Sequence, residues 1–273
     1  MTFGDPSRHR RAGPPLVLAA ILLVGWELYA RSSGVSPFVL PAPSQVLAAL
    51  WDFRAEAIRN AIPTIIETAL GFAASIVAAI AVAIALDRVP LARAAVEPLL
   101  VGSQTIPIVA IAPLVVVWFG FGIVPKVLVV ILVTFFPITV ALLQGFASTP
   151  GDATDLLRSF GASAGDTFRK LRWPTALPAL FTGLRISATY AVVAAVIGEY
   201  VGATDGLGIW MQISQRSFRT DLVFAAILLT AVLSIALYAV VVAAERTAIP
   251  WWHSSRLGER RETATVDARE RFG

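Results

Sequence analysis

Long apolar runs alternate with short polar segments along most of the chain. Three runs, 98–125, 127–151 and 222–244, contain no charged residue, and each is long enough to cross the hydrocarbon core of a bilayer as a helix. The pattern as a whole predicts an all-α polytopic membrane protein with six transmembrane helices. Their approximate bounds are 14–31, 61–86, 94–119, 124–147, 176–198 and 221–245.

The segment 44–60 lies between the first two predicted spans and differs from them in character. Its apolar positions recur at near-helical spacing, but it is too short and too charged to cross a membrane. We therefore expect an amphipathic helix at the membrane surface, with Ser44 as its N-cap.

The first predicted span has an alternative interpretation. The apolar run from Pro14 to Ala30 follows a short arginine-rich segment, as the apolar part of a secretory signal peptide would. However, the run contains Glu27, and no clear small-residue cleavage site precedes Arg31. We interpret it as a transmembrane helix, with a cleaved signal peptide as the alternative.

Composition removes several classes of function. The chain has 273 residues, of which 57% are hydrophobic and 15% charged, so most of it is expected to lie in lipid. It has no cysteine, and its two histidines, His9 and His253, lie in the predicted tails. A membrane enzyme built on a nucleophile, a metal or paired carboxylates therefore lacks its residues, and we expect neither catalytic nor metal-binding residues. The net charge of +4 is better explained by membrane topology than by binding to nucleic acid.

The distribution of basic residues predicts the orientation. With the N-terminus in the cytoplasm, the inner segments hold 15 of the 22 lysines and arginines, and the outer segments hold six. Basic residues favour the cytoplasmic side, so we expect a protein of the cell membrane with both termini in the cytoplasm. Residues 1–13 and 251–273 would then be cytoplasmic tails, the second disordered, around a transmembrane domain spanning 14–250.

The polar segment 150–175 has the pattern of two short helices. Turn residues at its start precede a possible helix from Ala153 to Phe160, and Gly161 can end that helix with a positive φ. Ser163 can cap a second helix, with Asp166 three residues later as in a capping box. We expect this second helix to end near Pro174, before the fifth span. The predicted orientation places the whole segment in the cytoplasm.

The same segment resembles the cytoplasmic signature of ATP-binding-cassette importer permeases. In that family a Glu-Ala-Ala triplet, three residues, Gly, nine residues and Ile-x-Leu-Pro form a helix-turn-helix. Here Asp155-Leu156-Leu157 replaces the triplet, Gly161 keeps its spacing, and Leu171-Arg172-Trp173-Pro174 follows nine residues later. The resemblance implies a type I importer permease fold in which a cytoplasmic coupling helix docks onto an ATPase. The residues it assigns to coupling are Asp155, Leu156, Leu157, Gly161, Ala162, Leu171 and Pro174.

The resemblance extends over roughly residues 60–250. The run 174–185 resembles the same family's continuation into its fifth span, and Ile106-Pro107 and Phe136-Pro137 resemble the branch that serves nitrate, sulfonates, taurine and thiamine-precursor pyrimidines. It implies three protein partners: a separate ATPase, an extracytoplasmic substrate-binding protein and a second copy of the chain. The chain has only two lysines, Lys126 and Lys170, and neither follows a glycine as the phosphate-binding loop of an ATPase requires. We therefore expect no cofactor in this chain and ATP in the partner subunit.

Ionisable residues inside a membrane are candidates for the translocation path. Glu67, Arg185 and Glu199 are the residues we assign to it, although a structural ion pair would also explain Glu67 and Arg185, and an interfacial position would explain Glu199. The glycines of the segment 202–208 permit a tight extracellular turn, which the resemblance places near an external gate.

The third predicted span contains two prolines and two large aromatic residues. Pro107 and Pro113 would kink or break the helix and free carbonyls for a cavity. Trp118 and Phe119 are possible gate residues, although aromatic residues at the membrane interface are more usual.

Two functions from different classes follow. The first is a permease subunit of an ATP-driven importer for a small polar organic or anionic solute. By resemblance the segments 197–203 and 249–253 favour a thiamine-precursor pyrimidine or a riboflavin-like solute, while nitrate, taurine and sulfonate importers share the scaffold. The second is an ion-gradient-driven transporter that uses Glu67 and Arg185, which leaves the spacing of Gly161 and Pro174 as coincidence.

Overall fold

The computed structural model describes residues 7–252, apart from the side chains of 7–13 and Leu16. The described residues form helices and connecting turns, without strands. The predicted tail from His253 onward and residues 1–6 lie outside them. The helices are α1 (Ser7–Ser32), α2 (Pro43–Asp52), α3 (Arg54–Arg88), α4 (Pro90–Ser103), α5 (Ile108–Phe119), α6 (Ile123–Ala147), α7 (Gly151–Ser159), α8 (Ala164–Thr167), α9 (Trp173–Gly202), α10 (Leu207–Arg216) and α11 (Thr220–Ala248), and a π-helical turn (Phe168–Arg172) joins α8 to α9.

Four helical segments of the described chain are long and apolar enough to cross a membrane. They are α3, α6, the continuous helix 164–202, and α11. The pair α4 and α5 counts as a fifth if it is taken as one broken span. The predicted first span, α1, is not among them, so the number six stays a prediction.

The third predicted span is broken. α4 ends at Ser103, α5 begins at Ile108, and the two axes differ by 101°. Pro107 occupies the position before α5 and has no N–H to continue a helix, which confirms the expected break. Pro113 lies inside α5 without ending it.

The predicted surface helix 44–60 has the wrong bounds. α2 ends at Asp52, and α3 begins at Arg54 and continues without interruption to Arg88. Ser44 is not the N-cap, because Ala42 takes that position and its N–H donates to Gln45 Oε1 at 2.9 Å. The Ser44 hydroxyl instead donates to Glu27 Oε1 of α1 at 2.7 Å.

Two features predicted for the segment 150–175 are confirmed and one is wrong. Gly161 has a φ of 79°, and Ser163 caps α8 with its Oγ accepting from the Asp166 N–H at 3.1 Å. However, the chain does not leave the helix near Pro174. The π turn before α9 is wider than an α-helical turn, so the proline, which lacks an N–H, sits at the start of α9 without ending the helix.

The core lies where α6 packs against α3 and α9. Ile138, Leu142 and Ala188 are fully buried there. The helices approach closely at small residues: a Cβ on Gly183 would lie 2.8 Å from the Ala141 side chain, and one on Gly145 would lie 2.9 Å from Ala176. Such contacts let helix backbones pack tightly inside a membrane. A second apolar cluster joins α2, α10 and α11.

Candidate translocation path and coupling segment

Glu67 and Lys126 form a buried ion pair between α3 and α6. Lys126 Nζ donates to Glu67 Oε1, and the two side chains are 10% and 2% exposed. Glu67 Oε2 has no hydrogen-bond partner among the described residues. Glu67 therefore points into the bundle as predicted, and its partner, Lys126, is one of the six basic residues that the charge count assigned to the outer segments. A buried carboxylate requires a cationic partner. The position of Lys126 at the start of an apolar run was the sequence signal that could have identified it as that partner.

Glu199 is fully buried within the helix bundle, and its interfacial position stays a prediction. Its carboxylate accepts hydrogen bonds from the Thr64 hydroxyl of α3 and from the Gly208 N–H, each at 2.5 Å. The Glu67 and Glu199 carboxylates lie close enough for their charges to interact. We call Asn60, Thr64, Glu67, Lys126 and Glu199 the polar cluster.

The polar cluster holds the start of α10. The Gly206 N–H donates to Asn60 Oδ1 at 3.2 Å, and the Leu207 N–H donates to Thr64 Oγ1 at 3.0 Å. Together with the bond from Gly208 to Glu199, three successive backbone donors are paired with side chains of α3 and α9. These are N–H groups that a helix N-terminus leaves without intrahelical partners.

The segment 202–208 is thus more than the exposed turn that its glycines suggested. Leu207 is fully buried, and α10 follows at once, a helix that the sequence pattern did not reveal. Gly206 has a φ of 136°, and the Glu199 carboxylate fills the space that a side chain there would need. Only glycine satisfies both conditions.

Arg185 has a separate partner. Its Nη1 lies 3.3 Å from Oε2 of Glu245 in α11, and its Nη2 donates to Thr182 Oγ1 at 3.3 Å. Glu245 is buried, whereas the arginine side chain is 34% exposed. The structure therefore brings Glu67 and Glu199 together and leaves Arg185 in an ion pair between α9 and α11, which favours the structural interpretation of that residue.

A cavity of about 830 Å³ lies beside the break between α4 and α5. Its walls come from the break itself, α6 and α9, and the three predicted path residues Glu67, Arg185 and Glu199 do not line it. Trp118 and Phe119 do not line it either, and both are largely exposed. The cavity's polar wall residues are Ser103, Gln104, Thr105, Gln144, Thr182 and Tyr190.

The predicted coupling residues lie on an accessible segment. No residue of α7 is buried, and Leu156 and Phe160 are 58% and 80% exposed. Asp155 and Gly161 are exposed as well, whereas Leu157, Ala162, Leu171 and Pro174 are half-buried. The segment thus presents apolar side chains on a surface that has no other part of the described chain against it.

An aromatic group connects this segment to the helix bundle. Phe168 and Trp173 lie with ring centroids 6.2 Å apart, and both contact Phe146 of α6, at 5.7 and 6.3 Å. Trp173 is the residue that departs from the leucine of the importer signature. Nearby, Arg172 Nη2 donates to the buried Asp87 of α3 at 2.7 Å. The residues that follow α8 are thus packed against both α6 and α3.

Comparison with known protein families shows which family the chain belongs to. The family described as "Binding-protein-dependent transport system inner membrane component" matches residues 71–249. The chain belongs to this family. It is therefore related to the inner-membrane permeases of ATP-binding-cassette importers, as its signature segment predicted.

Individual members agree with this assignment. The chain is 37% identical over 245 residues to the formylaminopyrimidine transport permease protein ThiX of Halalkalibacterium halodurans, covering 89% of this chain and 98% of that protein. It is 33% identical to the riboflavin transport system permease protein RibX of Chloroflexus aurantiacus, covering 88% and 90%. It is 30% identical to the taurine transport system permease protein TauC of Escherichia coli, covering 85% and 87%. These permeases are transport proteins, and the comparisons indicate no enzyme activity.

The fold of this permease also has a solved counterpart. The structure titled "Inward facing conformations of the MetNI methionine ABC transporter" aligns with a TM-score of 0.50 at 19% identity, covering 72% of this chain and 97% of the other. At that identity the likeness concerns the fold alone. It confirms the predicted all-α permease architecture.

Proposed function

We propose that this permease forms the translocation path of an ATP-driven importer and that a separate ATPase subunit drives it through the segment 150–175. The observation that carries the proposal is the geometry of α7. It is an exposed helix with Leu156 at its surface and the exposed Phe160 directly after its last residue, and the aromatic group formed by Phe146, Phe168 and Trp173 is packed into the bundle. Exposed apolar side chains on a short helix suit a docking contact with a partner protein.

The proposed cycle requires the segment to have two positions. Closure of the ATPase on ATP would displace α7 and α8, and Phe168, Trp173 and Arg172 would carry the displacement into α3, α6 and α9. Nucleotide binding then biases a two-state equilibrium of the bundle, because the two states differ in their contacts with the ATPase. In this scheme ATP is bound by the partner, and the permease itself needs no cofactor.

The other parts of the assembly follow from the family. We propose a homodimer of this chain in the cell membrane, both termini in the cytoplasm, with a substrate-binding protein on the outer side. The surplus of basic residues in the segments on the 150–175 side supports this orientation. The same orientation places the start of α10, with the polar cluster, toward the binding protein.

The proposal for the solute rests on the named relatives and specifies only a chemical class. ThiX and RibX, named for a formylaminopyrimidine and riboflavin, are more similar to this chain than TauC, named for taurine. We therefore propose a small polar heteroaromatic solute. An ion-gradient-driven transporter has no comparable support, since Glu67 and Arg185 are both held in ion pairs.

The test is affinity purification of the tagged chain from its native membrane, with mass spectrometry of the bound proteins. We expect an ATP-binding-cassette subunit with the wild type and its loss with Leu156→Asp, which places a charge on the exposed face of α7. Thr204→Asp is the matched control, because Thr204 is exposed in the loop after the far end of α9. A correctly inserted wild-type chain without an ATPase, or equal recovery with both variants, would contradict the proposal.

A further inference from the structure

The cavity beside the break between α4 and α5 has walls without charge. Its 17 wall residues include no aspartate, glutamate, lysine or arginine. The chain as a whole has 22 basic and 18 acidic residues, and at least four ionisable side chains are buried elsewhere in the bundle: Glu67, Lys126, Glu199 and Glu245. The charged residues of the bundle are thus placed away from this cavity.

The guanidinium of Arg185 lies near the cavity, and its charge is neutralised. Arg185 Nη2 donates to the hydroxyl of Thr182, which is a wall residue. The same guanidinium is paired with the buried Glu245, so it adds little net charge to the cavity. A solute in the cavity therefore meets no side chain of residues 14–252 of this copy that would neutralise a charge of its own.

The helix break adds dipoles of opposite sign. Ser103, at the C-terminus of α4, and Pro107 and Ile108, at the N-terminus of α5, all line the cavity. Helix C-termini carry a partial negative charge and N-termini a partial positive one, so the two ends offset each other. The N-terminus of α5 has no side-chain cap, so its first backbone N–H groups are available for hydrogen bonding. Such groups can donate to and accept from a neutral solute.

The polar wall residues are suited to hydrogen bonding with a neutral molecule. Gln104 and Gln144 each offer two donors and an acceptor, and both are exposed to the cavity region. Tyr190 and Phe136 add aromatic surface, and most other wall residues are aliphatic. Moving a full charge from water to such walls is costly, whereas a flat ring with amide or ring-nitrogen groups can be both stacked and hydrogen-bonded.

We infer that this cavity is the solute site of the permease and that its ligand is an uncharged heteroaromatic molecule held by Gln104, Gln144 and Tyr190. Anionic and zwitterionic solutes such as alkanesulfonates and taurine are excluded by the uncharged, largely apolar walls. The inference deepens the proposed function and rests on it. The volume of about 830 Å³ lies in the range of small-molecule sites.

The experiment introduces a charge of either sign at one wall position. The importer, purified with its ATPase and binding protein, is reconstituted in liposomes, and ATP-dependent uptake is measured for a formylaminopyrimidine, riboflavin, taurine and an alkanesulfonate. Gln144→Glu, Gln144→Lys and the uncharged Gln144→Met are compared with the wild type. Gln215→Glu and Gln215→Lys are the controls, because Gln215 is exposed on α10 and does not line the cavity.

If the solute is neutral, Glu and Lys at position 144 should both lower its uptake. We expect wild-type uptake of the pyrimidine or riboflavin alone, and a fall of at least about tenfold with both Glu and Lys at position 144, since each charge must be desolvated or must compete with the solute. Gln144→Met should lower uptake less, and both Gln215 variants should stay within about twofold, as is usual for exposed positions.

Other outcomes separate the two proposals. Uptake of taurine or sulfonate by the wild type, or uptake that Gln144→Lys retains or raises while Gln144→Glu abolishes it, would overturn the neutral-solute site and leave the importer intact. Equal behaviour of the Gln144 and Gln215 variants would show that the cavity is not the solute site. ATP-independent uptake would overturn the proposed function itself.

Discussion

Glu199 of α9 accepts a hydrogen bond from Thr64 of α3 at 2.5 Å, across 135 residues of sequence. The same carboxylate accepts from the Gly208 N–H, so one buried side chain links two membrane helices to the start of α10. A buried N–H or hydroxyl that lost this acceptor would destabilise the fold, because burial without a hydrogen bond is costly. Glu199 therefore acts in this structure as a structural connector between α3, α9 and α10.

The first prediction concerns that connector. Glu199→Leu keeps a side chain of similar size but removes both acceptor oxygens, so the Gly208 N–H loses its partner and the Thr64 hydroxyl loses its bond to α9. We expect a loss of about 1–3 kcal/mol in the free energy of unfolding. Thermal unfolding in detergent, followed by tryptophan fluorescence, measures it. The exposed Glu56→Leu serves as control, and equal midpoints for the two variants would contradict the assigned role.

The second prediction uses the pair of Glu67 and Lys126. Lys126→Met leaves a buried carboxylate without its cation, and removal of one partner of such a pair costs about 3–5 kcal/mol. The double variant with Glu67→Gln removes both charges and should recover most of that loss. The same unfolding assay measures all three proteins. If the double variant is as unstable as Lys126→Met alone, the pair does not contribute as the geometry indicates.

How far the sequence predicts this structure depends on the length of each apolar run. α6 and α11 were predicted within about three residues, because uninterrupted apolar runs of this length have few alternatives to a membrane helix. α10 was missed, since it is short and its position depends on bonds from distant side chains such as Asn60 and Thr64. The hydrogen bond from Thr64 to Glu199 was not predicted for the same reason, since the two residues are 135 positions apart.

Local turn chemistry was predicted better than continuity. Gly161 and the capping pair of Ser163 and Asp166 depend on neighbours in sequence, and both predictions hold. The predicted end of the helix near Pro174 was wrong, because the wider π turn before α9 lets the helix continue past a residue that has no N–H. The coupling role of these residues stays a prediction, since the contact requires a second protein.

The third prediction concerns Gly161 and tests coupling apart from folding. A Cβ there would meet no atom within 4 Å, but the φ of 79° disfavours a β-branched side chain. We expect Gly161→Val to cost about 1–3 kcal/mol of backbone strain, to change the direction of α7 relative to α8, and to abolish transport while leaving membrane insertion intact. Uptake is compared with chain abundance in the membrane.

Gly151→Val is the control for that variant. Gly151 also has open space around it, but it starts α7 with a helical backbone. Its valine variant should retain both insertion and most transport. Normal transport by Gly161→Val, at wild-type abundance, would remove the turn at Gly161 from the coupling mechanism.

The fourth prediction separates a structural from a translocation role for Arg185. If the pair with Glu245 only joins α9 to α11, Arg185→Ala should lower abundance and uptake in the same proportion, because the buried carboxylate loses its cation. The double variant with Glu245→Gln should restore both together. Uptake could instead fall clearly more than abundance, without repair by the double variant. That result would place Arg185 in contact with the solute. The geometry favours the first outcome, since Glu245 lies 3.3 Å from the guanidinium and Arg185 does not line the cavity at the helix break.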